Sequence, residues 1–218
     1  MVFGKIEYLN LLPFHIFMKR FTKGSQQSKS MQYKKGVPSD VNAKFSSRRV
    51  DAAFISSIGA KKYSHVNLGI IAKKEVLSVL VIPNEKNTSD IESATSNVLA
   101  NVLGVKGEVL IGDKALKYYL EGKPHVDLAK EWKNRYNLPF VFALLCHHNQ
   151  NKLYKKIESN FLKQKVKIPQ YLLKQASLRT GVAPRDILNY LNYISYDLDK
   201  KASLGLKKFY SMVSYKNV

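Results

Sequence analysis

Short runs of strand-like composition alternate with stretches of helical spacing along the first third of the chain. The runs predict strands, and they are VFGKIE (2–7), MQYK (31–34), DAAFIS (51–56), LGIIA (68–72) and VLSVLVIP (76–83). Helices are predicted from about Phe14 and from Pro38, because a proline ring suits the first turn of a helix. This alternation of strands and helices favours a mostly parallel α/β sheet.

A second α/β unit follows the polar segment 84–93. Its predicted strands are EVLIG (108–112) and LPFVFALLC (138–146), and its predicted helices are DKALKYYL (113–120) and DLAKEWKNRY (127–136). From Asn151 onwards the chain is predicted to be helical throughout. One helix face is predicted there from the apolar spacing of Ile187, Leu191, Ile194 and Leu198.

These elements predict two α/β lobes with a ligand cleft between them and C-terminal helices that pack on the first lobe. The larger lobe is expected to contain residues 1–83 and 182–218, and the smaller lobe residues 84–181. A hinge is expected near Pro83 and Gly181, where it would let the lobes close over a ligand.

The composition is that of an ordinary soluble domain, with 45% hydrophobic and 24% charged residues. The single cysteine, Cys146, excludes an internal disulfide and fits a reducing compartment. We expect no signal peptide, because Glu7 and Asn10 interrupt the apolar N-terminal segment. No apolar run is long enough to span a bilayer, so the sequence predicts a cytoplasmic protein without membrane insertion.

The formal net charge of +20 attracts nucleic acids, anionic membranes and small anionic metabolites alike. The basic residues are spread along the chain, with short clusters such as Arg48-Arg49 and Lys73-Lys74 rather than a long basic tail. No RNA-binding aromatic motif and no zinc-finger spacing is present. The charge therefore favours a basic surface that draws in a small anionic substrate over specific nucleic-acid binding.

Familiar catalytic fingerprints are missing from the sequence. It contains no phosphate-binding loop, no dinucleotide fingerprint and no nucleophile elbow. The best metal-like cluster is the consecutive trio Cys146, His147 and His148. Neighbours on a strand point to opposite faces and do not easily share one ion, so we expect a structural role for this trio and no metal site.

The remaining candidates are small polar residues near the ends of predicted strands, where ligands gather in open α/β sheets. They are Asn10, Ser56, Ser57, Ser78, Thr95, Ser96 and Asp113. Each also has a structural explanation. A helix cap explains Thr95, Ser96 and Asp113. A hydrogen bond to the backbone of a buried strand explains Ser78, and a turn position explains Asn10.

The segment SATSN (93–97) opens a predicted helix with several small hydroxyl groups. A helix N-terminus with exposed N–H groups binds a carboxylate well, because the donors and the helix dipole both favour negative charge. The segment is therefore predicted to hold a carboxylate of the ligand.

Seven runs of the chain occur in a characteristic order: GKIEYLNLLPF, GVPSDVNAKFSSRRVDAAFISS, VLSVLV, SATSNVL, GDKAL, DLAKEWKNRYNLPFVFA and YLNYISYDLDKKASLGLKKFY. In this order the chain resembles the chorismate dehydratase family of menaquinone biosynthesis by the futalosine route, from about Phe3 to Tyr210. Two departures stand out. The crossover before SATSN is short and polar where the family usually shows a clearer strand, and Asn137 stands where many members have glycine.

The resemblance implies a two-lobed fold like that of a type II periplasmic solute-binding protein, used as a hydro-lyase. The implied reaction removes water from chorismate to give 3-[(1-carboxyvinyl)oxy]benzoate and needs no metal or organic cofactor. The family's motifs place Asn10 and Ser78 in the catalytic region. The same motifs imply a second group of residues that bind the substrate: Ser56, Ser57, Thr95, Ser96 and, in GDKAL, Asp113.

Two hypotheses for the proton acceptor follow from these residue types. Asn, Ser and Thr are poor general bases near neutral pH. We therefore expect the enolpyruvyl carboxylate of the substrate to remove the C3 proton, while Asn10 and Ser78 hold that carboxylate and the departing hydroxyl. The rival hypothesis makes Asp113 the base.

Two alternative functions share the expected fold. One is 1,4-dihydroxy-6-naphthoate synthase, the sister enzyme of the same route. The other is a non-catalytic protein that binds an anionic solute.

Overall fold

The computed structural model describes residues 1–22 and 31–216. Its strands are β1 (Val2–Lys5), β2 (Gln32–Lys35), β3 (Ala52–Ser56), β4 (His65–Ala72), β5 (Val79–Ile82), β6 (Glu108–Ile111), β7 (Val126–Asp127), β8 (Phe140–His147) and β9 (Ile194–Asp197). Its helices are α1 (Leu12–Thr22), α2 (Pro38–Ser46), α3 (Ser57–Ala60), α4 (Ala94–Leu103), α5 (Gly112–Leu120), α6 (Leu128–Tyr136), α7 (Asn151–Leu162), α8 (Gln170–Thr180), α9 (Pro184–Leu191) and α10 (Lys200–Lys216). A 3₁₀ helix, Leu9–Leu11, directly precedes α1.

The strands form two sheets. The larger sheet has the order β2-β1-β3-β8-β4-β9, and the smaller has the order β6-β5-β7. Strand β1 is parallel to both β2 and β3. Strand β8 runs antiparallel between β3 and β4, β9 is antiparallel to β4, and the smaller sheet is antiparallel throughout. The prediction of a mostly parallel sheet was therefore wrong, because β8 returns from the smaller sheet and inserts in the opposite direction.

The chain crosses between the sheets twice, through residues 73–78 and through residues 137–139. Sheet membership therefore differs from the predicted lobe boundaries at two strands. Strand β5 lies in the smaller sheet although 1–83 was assigned to the larger lobe, and β8 lies in the larger sheet although 84–181 was assigned to the smaller one. Both strands are apolar, so composition does not reveal their sheet. The expected hinge positions, Pro83 and Gly181, lie on neither crossing.

The sequence predicts that the chain is helical throughout from Asn151, but the structure has a strand, β9, in this part. Helix α9 ends at Leu191, and the next residues close it with tight turns in which the Tyr193 N–H bonds to the carbonyl of Tyr190. Ile194 then begins β9, the edge strand beside β4. The predicted helix face through 187, 191, 194 and 198 is thus split between a helix and a strand. Helix α10 packs against the larger sheet, as expected, and so does α7, although residues 84–181 were assigned to the smaller lobe.

An aromatic cluster packs α1 against the larger sheet. The Phe14 ring is fully buried, with its centroid 4.9 Å from that of Phe54 on β3 and 5.3 Å from that of Phe161 on α7. Burial of rings of this size is a large stabilising contribution. It holds the start of α1, and with it the 3₁₀ helix before α1, in place. Over the described ranges no helix combines the length and apolar character needed to cross a membrane.

Candidate active site

A cavity of about 620 Å³, including its opening to solvent, lies between the two sheets. Its apolar wall includes Phe54 and Phe142 from the larger sheet and Ile111 from the smaller one. The polar side chains that line it belong to Tyr8, Asn10, Ser56, Ser78, Ser93 and Ser96. Among the residues that the structure describes, none of those lining this cavity carries a carboxylate, an imidazole, an ammonium or a guanidinium group.

Helix N-termini surround this uncharged cavity. The lining includes Pro38 from the first turn of α2, Ser56 and Ser93 at the N-caps of α3 and α4, and Gly112, the first residue of α5. The first N–H groups of a helix have no partner within the helix, and its N-terminus carries a partial positive charge. The cavity can therefore hold an anion with neutral donors and dipoles in place of a charged side chain.

The start of α4 is both a helix cap and part of the cavity. The Ser93 Oγ accepts the backbone N–H of Ser96 at 3.2 Å, and the Ser93 and Ser96 hydroxyls hydrogen-bond at 2.8 Å. Both hydroxyls line the cavity. The two explanations of SATSN are thus compatible at this helix end.

Three of the predicted substrate residues, Ser57, Thr95 and Asp113, do not line the cavity. Ser57 and Thr95 are buried, and their hydroxyls hydrogen-bond to each other at 3.3 Å. The Thr95 Oγ1 also accepts the backbone N–H of Ile58 at 3.2 Å. These bonds tie the start of α3 on the larger sheet to the start of α4 on the smaller one.

Ser56 lines the cavity and is oriented by a residue that the sequence did not indicate. The Asn42 side chain, from α2, donates through Nδ2 to the Ser56 Oγ at 3.0 Å. Its Oδ1 accepts the Ser56 backbone N–H at 3.3 Å. Asn42 lies fourteen residues earlier in the chain, so no local spacing links the two.

Asn10 sits in the 3₁₀ helix that follows β1. Its Oδ1 is buried without a protein hydrogen-bond partner among the described residues, and its side chain lines the cavity. Its carbonyl accepts the phenol hydroxyl of Tyr196 at 2.7 Å. A buried acceptor without a protein partner is costly unless a ligand or water uses it, so Asn10 is a ready contact for a donor in the cavity.

Asp113 lies next to the cavity without lining it. One carboxylate oxygen accepts the Leu9 N–H at 2.9 Å, and the other accepts from the Arg179 guanidinium at 3.0 Å. Burial raises the pKa of Asp113, while the Leu9 N–H and Arg179 oppose that shift. The carboxylate therefore fixes the turn that carries Asn10 and does not face the cavity. The sequence indicated neither of these two hydrogen bonds, and it did not point to Arg179.

Ser78 is positioned by contacts on both sides. The residue before it, Leu77, has a left-handed backbone with φ 61°, which is strained for a leucine. The Leu77 N–H bonds to the buried Asp127 carboxylate at 2.7 Å. The Ser78 Oγ lies 2.8 Å from the phenol oxygen of Tyr190 on α9. Asp127 is the first residue of the predicted helix 127–136 and could have been read as its cap, whereas Tyr190 gave no signal.

Tyr8 covers the N-terminus of α5. Its hydroxyl donates to the Glu92 carboxylate, and burial together with Glu92 raises the pKa of Tyr8. Gly112 has φ 69°, and a Cβ there would lie 2.7 Å from the Tyr8 ring. Glycine is therefore required at 112 by backbone conformation and by space.

The Cys146–His148 trio takes separate structural positions. His147 stacks on Tyr154 at 4.9 Å between ring centroids, and His148 stacks on Phe45 at 4.0 Å. Burial raises the pKa of Cys146 to about 12, so its thiol stays protonated. Among the described residues, no group of three His, Cys, Asp or Glu side chains could hold a metal ion.

Solved structures with this fold have little sequence identity to the chain. A protein of Archaeoglobus fulgidus gives a TM-score of 0.72 at 13% identity, covering 99% of this chain and 97% of its own. A Candida albicans protein described as exhibiting the generic periplasmic binding protein structural fold gives 0.54 at 11% identity, covering 99% and 90%. The alkanesulfonate-binding protein SsuA from Xanthomonas axonopodis pv. citri gives 0.55 at 9% identity, covering 100% and 92%. The chain therefore has the two-lobed fold of periplasmic binding proteins.

Sequence comparison defines the family within this fold. A family described as menaquinone biosynthesis matches residues 1–108 and 94–215. A chorismate dehydratase of Campylobacter jejuni is 46% identical over 213 residues, which are 96% of this chain and 96% of that protein. A chorismate dehydratase of Thermus thermophilus is 24% identical, covering 95% and 93%. The chain belongs to the menaquinone-biosynthesis family.

Proposed function

We propose that this protein is a chorismate dehydratase, a hydro-lyase that converts chorismate to 3-[(1-carboxyvinyl)oxy]benzoate and water. The 46% identity to the Campylobacter jejuni enzyme over 96% of both chains supports the substrate. The observation that carries the chemistry is a cavity lined by neutral polar side chains and helix N-termini, without any acidic or basic side chain. Such a cavity suits a dianionic substrate that supplies its own base. We further propose that the reaction takes place in the cytoplasm.

The bond changes place few demands on the protein. The C3–H bond breaks and its electron pair becomes part of the aromatic ring. The C4–O bond breaks with its electron pair, and the departing hydroxide takes up a proton to become water. Because no electrons leave the substrate, the step needs no oxidant. Since aromatisation makes the step strongly favourable, the protein mainly orients the substrate and excludes water.

The enolpyruvyl carboxylate of chorismate is the proton acceptor in this proposal. The polar groups of the cavity include Asn10, Ser78 and Tyr8, and none of them is a suitable base near neutral pH. Asp113 is outside the lining, with one oxygen on the Leu9 N–H and the other on Arg179. Substrate-assisted proton removal is therefore preferred over Asp113.

The substrate-binding residues divide into two groups. Ser56 and Ser96 line the cavity and contact the substrate directly, together with Asn10 and Ser78. Ser57 and Thr95 act indirectly, because their mutual hydrogen bond joins the helix ends that bind the carboxylates. Asp113 also acts indirectly, through the turn that carries Asn10.

Purified protein, dialysed against a chelator, should be incubated with chorismate and followed by mass spectrometry for loss of one water. The Ser78→Ala variant should lose most of the turnover. The Ser47→Ala variant, which removes an exposed hydroxyl that bonds only to backbone carbonyls of α2, should match the wild type. Unchanged chorismate at high concentrations of folded protein would overturn the proposal. The sister enzyme's substrate and plain ligand binding would then be tested in turn.

A further inference from the structure

Tyr190 is the one buried phenol that contacts a proposed catalytic hydroxyl among the described hydrogen bonds. It lies on α9 near the C-terminus, is 2% exposed, and places its oxygen 2.8 Å from the Ser78 Oγ. The Asn10 side chain lies close enough to the same phenol to lower its pKa as a hydrogen-bond donor does. Tyr190 therefore joins the two side chains that the proposed reaction requires, although it is more than a hundred residues from both.

The hydrogen bonds of this trio have a direction. The Asn10 Oδ1 has no protein partner in the described part of the chain, and Asn10 lowers the pKa of Tyr190 as a donor does, so we infer that the Asn10 Nδ2 is the atom that faces the phenol. Burial raises the pKa of Tyr190, so the phenol keeps its proton. The phenol oxygen accepts from Asn10, and its own proton is then directed to the Ser78 Oγ.

This direction gives the two side chains opposite roles toward the cavity. Ser78 accepts from Tyr190, which leaves its hydroxyl proton free to be donated to a ligand. Asn10 donates to Tyr190, which leaves its Oδ1 free to accept from a ligand. A hydroxyl group is both an acceptor and a donor, so a ligand hydroxyl fits between the two.

We propose that Tyr190 is a positioning residue that makes Ser78 a hydrogen-bond donor and Asn10 an acceptor for the C4 hydroxyl of the substrate. The proposal rests on the proposed dehydratase function. The Ser78 Oγ–H donates to the C4 oxygen and stabilises the negative charge that develops on it as the C4–O bond breaks. Asn10 Oδ1 accepts the hydrogen of that hydroxyl and holds it in place. The enolpyruvyl carboxylic acid then returns the C3 proton to the departing oxygen, which leaves as water.

A double-mutant cycle tests this role. Tyr190→Phe keeps the ring and removes the hydroxyl, so kcat should fall about tenfold, corresponding to one hydrogen bond, while KM changes by less than about twofold. In the Ser78→Ala background the same substitution should change kcat by less than about twofold, because the group through which Tyr190 acts is gone. Tyr154→Phe is the matched control. It also removes the hydroxyl of a buried phenol, one that contacts the Met1 sulfur away from the cavity.

The results that would overturn the proposal are specific. Equal loss of kcat from Tyr190→Phe in both backgrounds, or equal effects of Tyr190→Phe and Tyr154→Phe on kcat and on thermal stability, would make Tyr190 merely structural. If Tyr190→Phe does not fold, 4-aminophenylalanine at 190 keeps a donor to Ser78 and should retain turnover within about tenfold; loss of turnover in that folded variant would also overturn the proposal.

The failure of this proposal is distinguishable from that of the dehydratase function. Turnover of chorismate by the wild type tests the function alone. Without turnover, chorismate survives, and the same cycle is read by calorimetry as binding of chorismate. Unreacted chorismate is the ligand that reports on the proposed contact, because the product 3-[(1-carboxyvinyl)oxy]benzoate lacks the C4 hydroxyl. Coupling between Tyr190 and Ser78 is expected in the Kd of chorismate, and additive effects would overturn the role of Tyr190.

Discussion

The Asp127 carboxylate accepts the backbone N–H of Leu77 at 2.7 Å, across fifty residues of sequence. The same oxygen accepts the Val76 N–H at 3.0 Å, while the other oxygen accepts the N–H groups of Ala129 and Lys130 at the start of α6. One buried side chain thus joins the outgoing crossing between the sheets to the helix that leads to the returning crossing. It also holds Leu77 in its left-handed conformation, directly before Ser78.

Asp127→Asn should destabilise the protein and lower its activity. The asparagine Nδ2 cannot accept, so two buried N–H groups lose their partner. The expected loss is about 2–3 kcal/mol in the free energy of unfolding, together with a fall in kcat/KM as Ser78 shifts. Urea unfolding and steady-state kinetics measure these effects. Asp199→Asn is the control, because Asp199 accepts one N–H, from Ala202, near the start of α10 and asparagine caps equally well. Equal, small effects of both variants would contradict the role given to Asp127.

Gly112→Ala should weaken ligand binding through Tyr8. Both Gly112 and Gly122 have positive φ, at 69° and 70°, so alanine should cost each about 1 kcal/mol in the free energy of unfolding. A Cβ at 112 meets the Tyr8 ring, whereas a Cβ at 122 meets nothing within 4 Å. We expect only Gly112→Ala to raise the Kd for the product. The increase should be about tenfold, because displacement of the Tyr8 ring would cost the ligand about one hydrogen bond's worth of binding free energy. Calorimetry measures this, and an equal Kd for both variants would remove Tyr8 and Gly112 from the binding site.

Asp113→Asn separates positioning from base catalysis. The asparagine Oδ1 can still accept the Leu9 N–H, but the ion pair with Arg179 is lost. For a positioning role we expect kcat to fall by about tenfold or less, whereas loss of a general base would reduce it by about 10²–10⁴. Asp186→Asn, in the first turn of the neighbouring α9, is the control for removing an acidic group. A loss of kcat in the larger range with unchanged product binding would make Asp113 the base.

The pH dependence of stability should contain a contribution from His15. This imidazole is half-buried on α1, with its Nδ1 out of reach of solvent, and its Nε2 donates to the Ile6 carbonyl at 2.7 Å. Burial lowers the pKa of His15 to about 4, below the value of about 6.5 in an unfolded chain. The unfolded state therefore binds a proton first as pH falls, and the folded state loses about 3 kcal/mol of stability between pH 6.5 and pH 4.

His15→Gln keeps a donor for the Ile6 carbonyl and removes the titration. Urea unfolding of wild type and variant across this pH range should therefore show a difference that shrinks toward pH 4. Subtraction cancels the contributions of the carboxylates, which both proteins share. His125→Gln, which replaces an exposed imidazole bonded to the Lys123 carbonyl, should follow the wild type. Parallel curves for wild type and His15→Gln would show that His15 does not titrate in this way.

Local patterns predicted the strand ends and the residues on them better than they predicted how the strands assemble. Asn10 and Ser78 were singled out as small polar residues near strand ends, and the structure brings both to one cavity. Strand β8 was assigned to the wrong sheet, because an apolar run is compatible with either. Strand β9 was predicted as helix because its apolar residues continue the spacing of α9 for one more turn.

The supporting contacts were out of reach for a different reason. Tyr190 meets Ser78, and Arg179 meets Asp113, across long stretches of sequence. Only tertiary packing creates these pairs, so no spacing rule can identify them. The residue type and strand-end position of Ser57 suggested a ligand contact, and the structure shows its hydroxyl hydrogen-bonded to Thr95.

Two monoesters of chorismate provide the most direct test of the claim that the substrate supplies the base. The ester at the ring carboxylate blocks one binding contact and leaves the enolpyruvyl carboxylate free, so it should be dehydrated with a raised KM. The ester at the enolpyruvyl carboxylate should bind but react at least about 10³-fold more slowly, because its proton acceptor is gone. Dehydration of both esters with similar kcat would contradict substrate-assisted catalysis and require a base supplied by the protein.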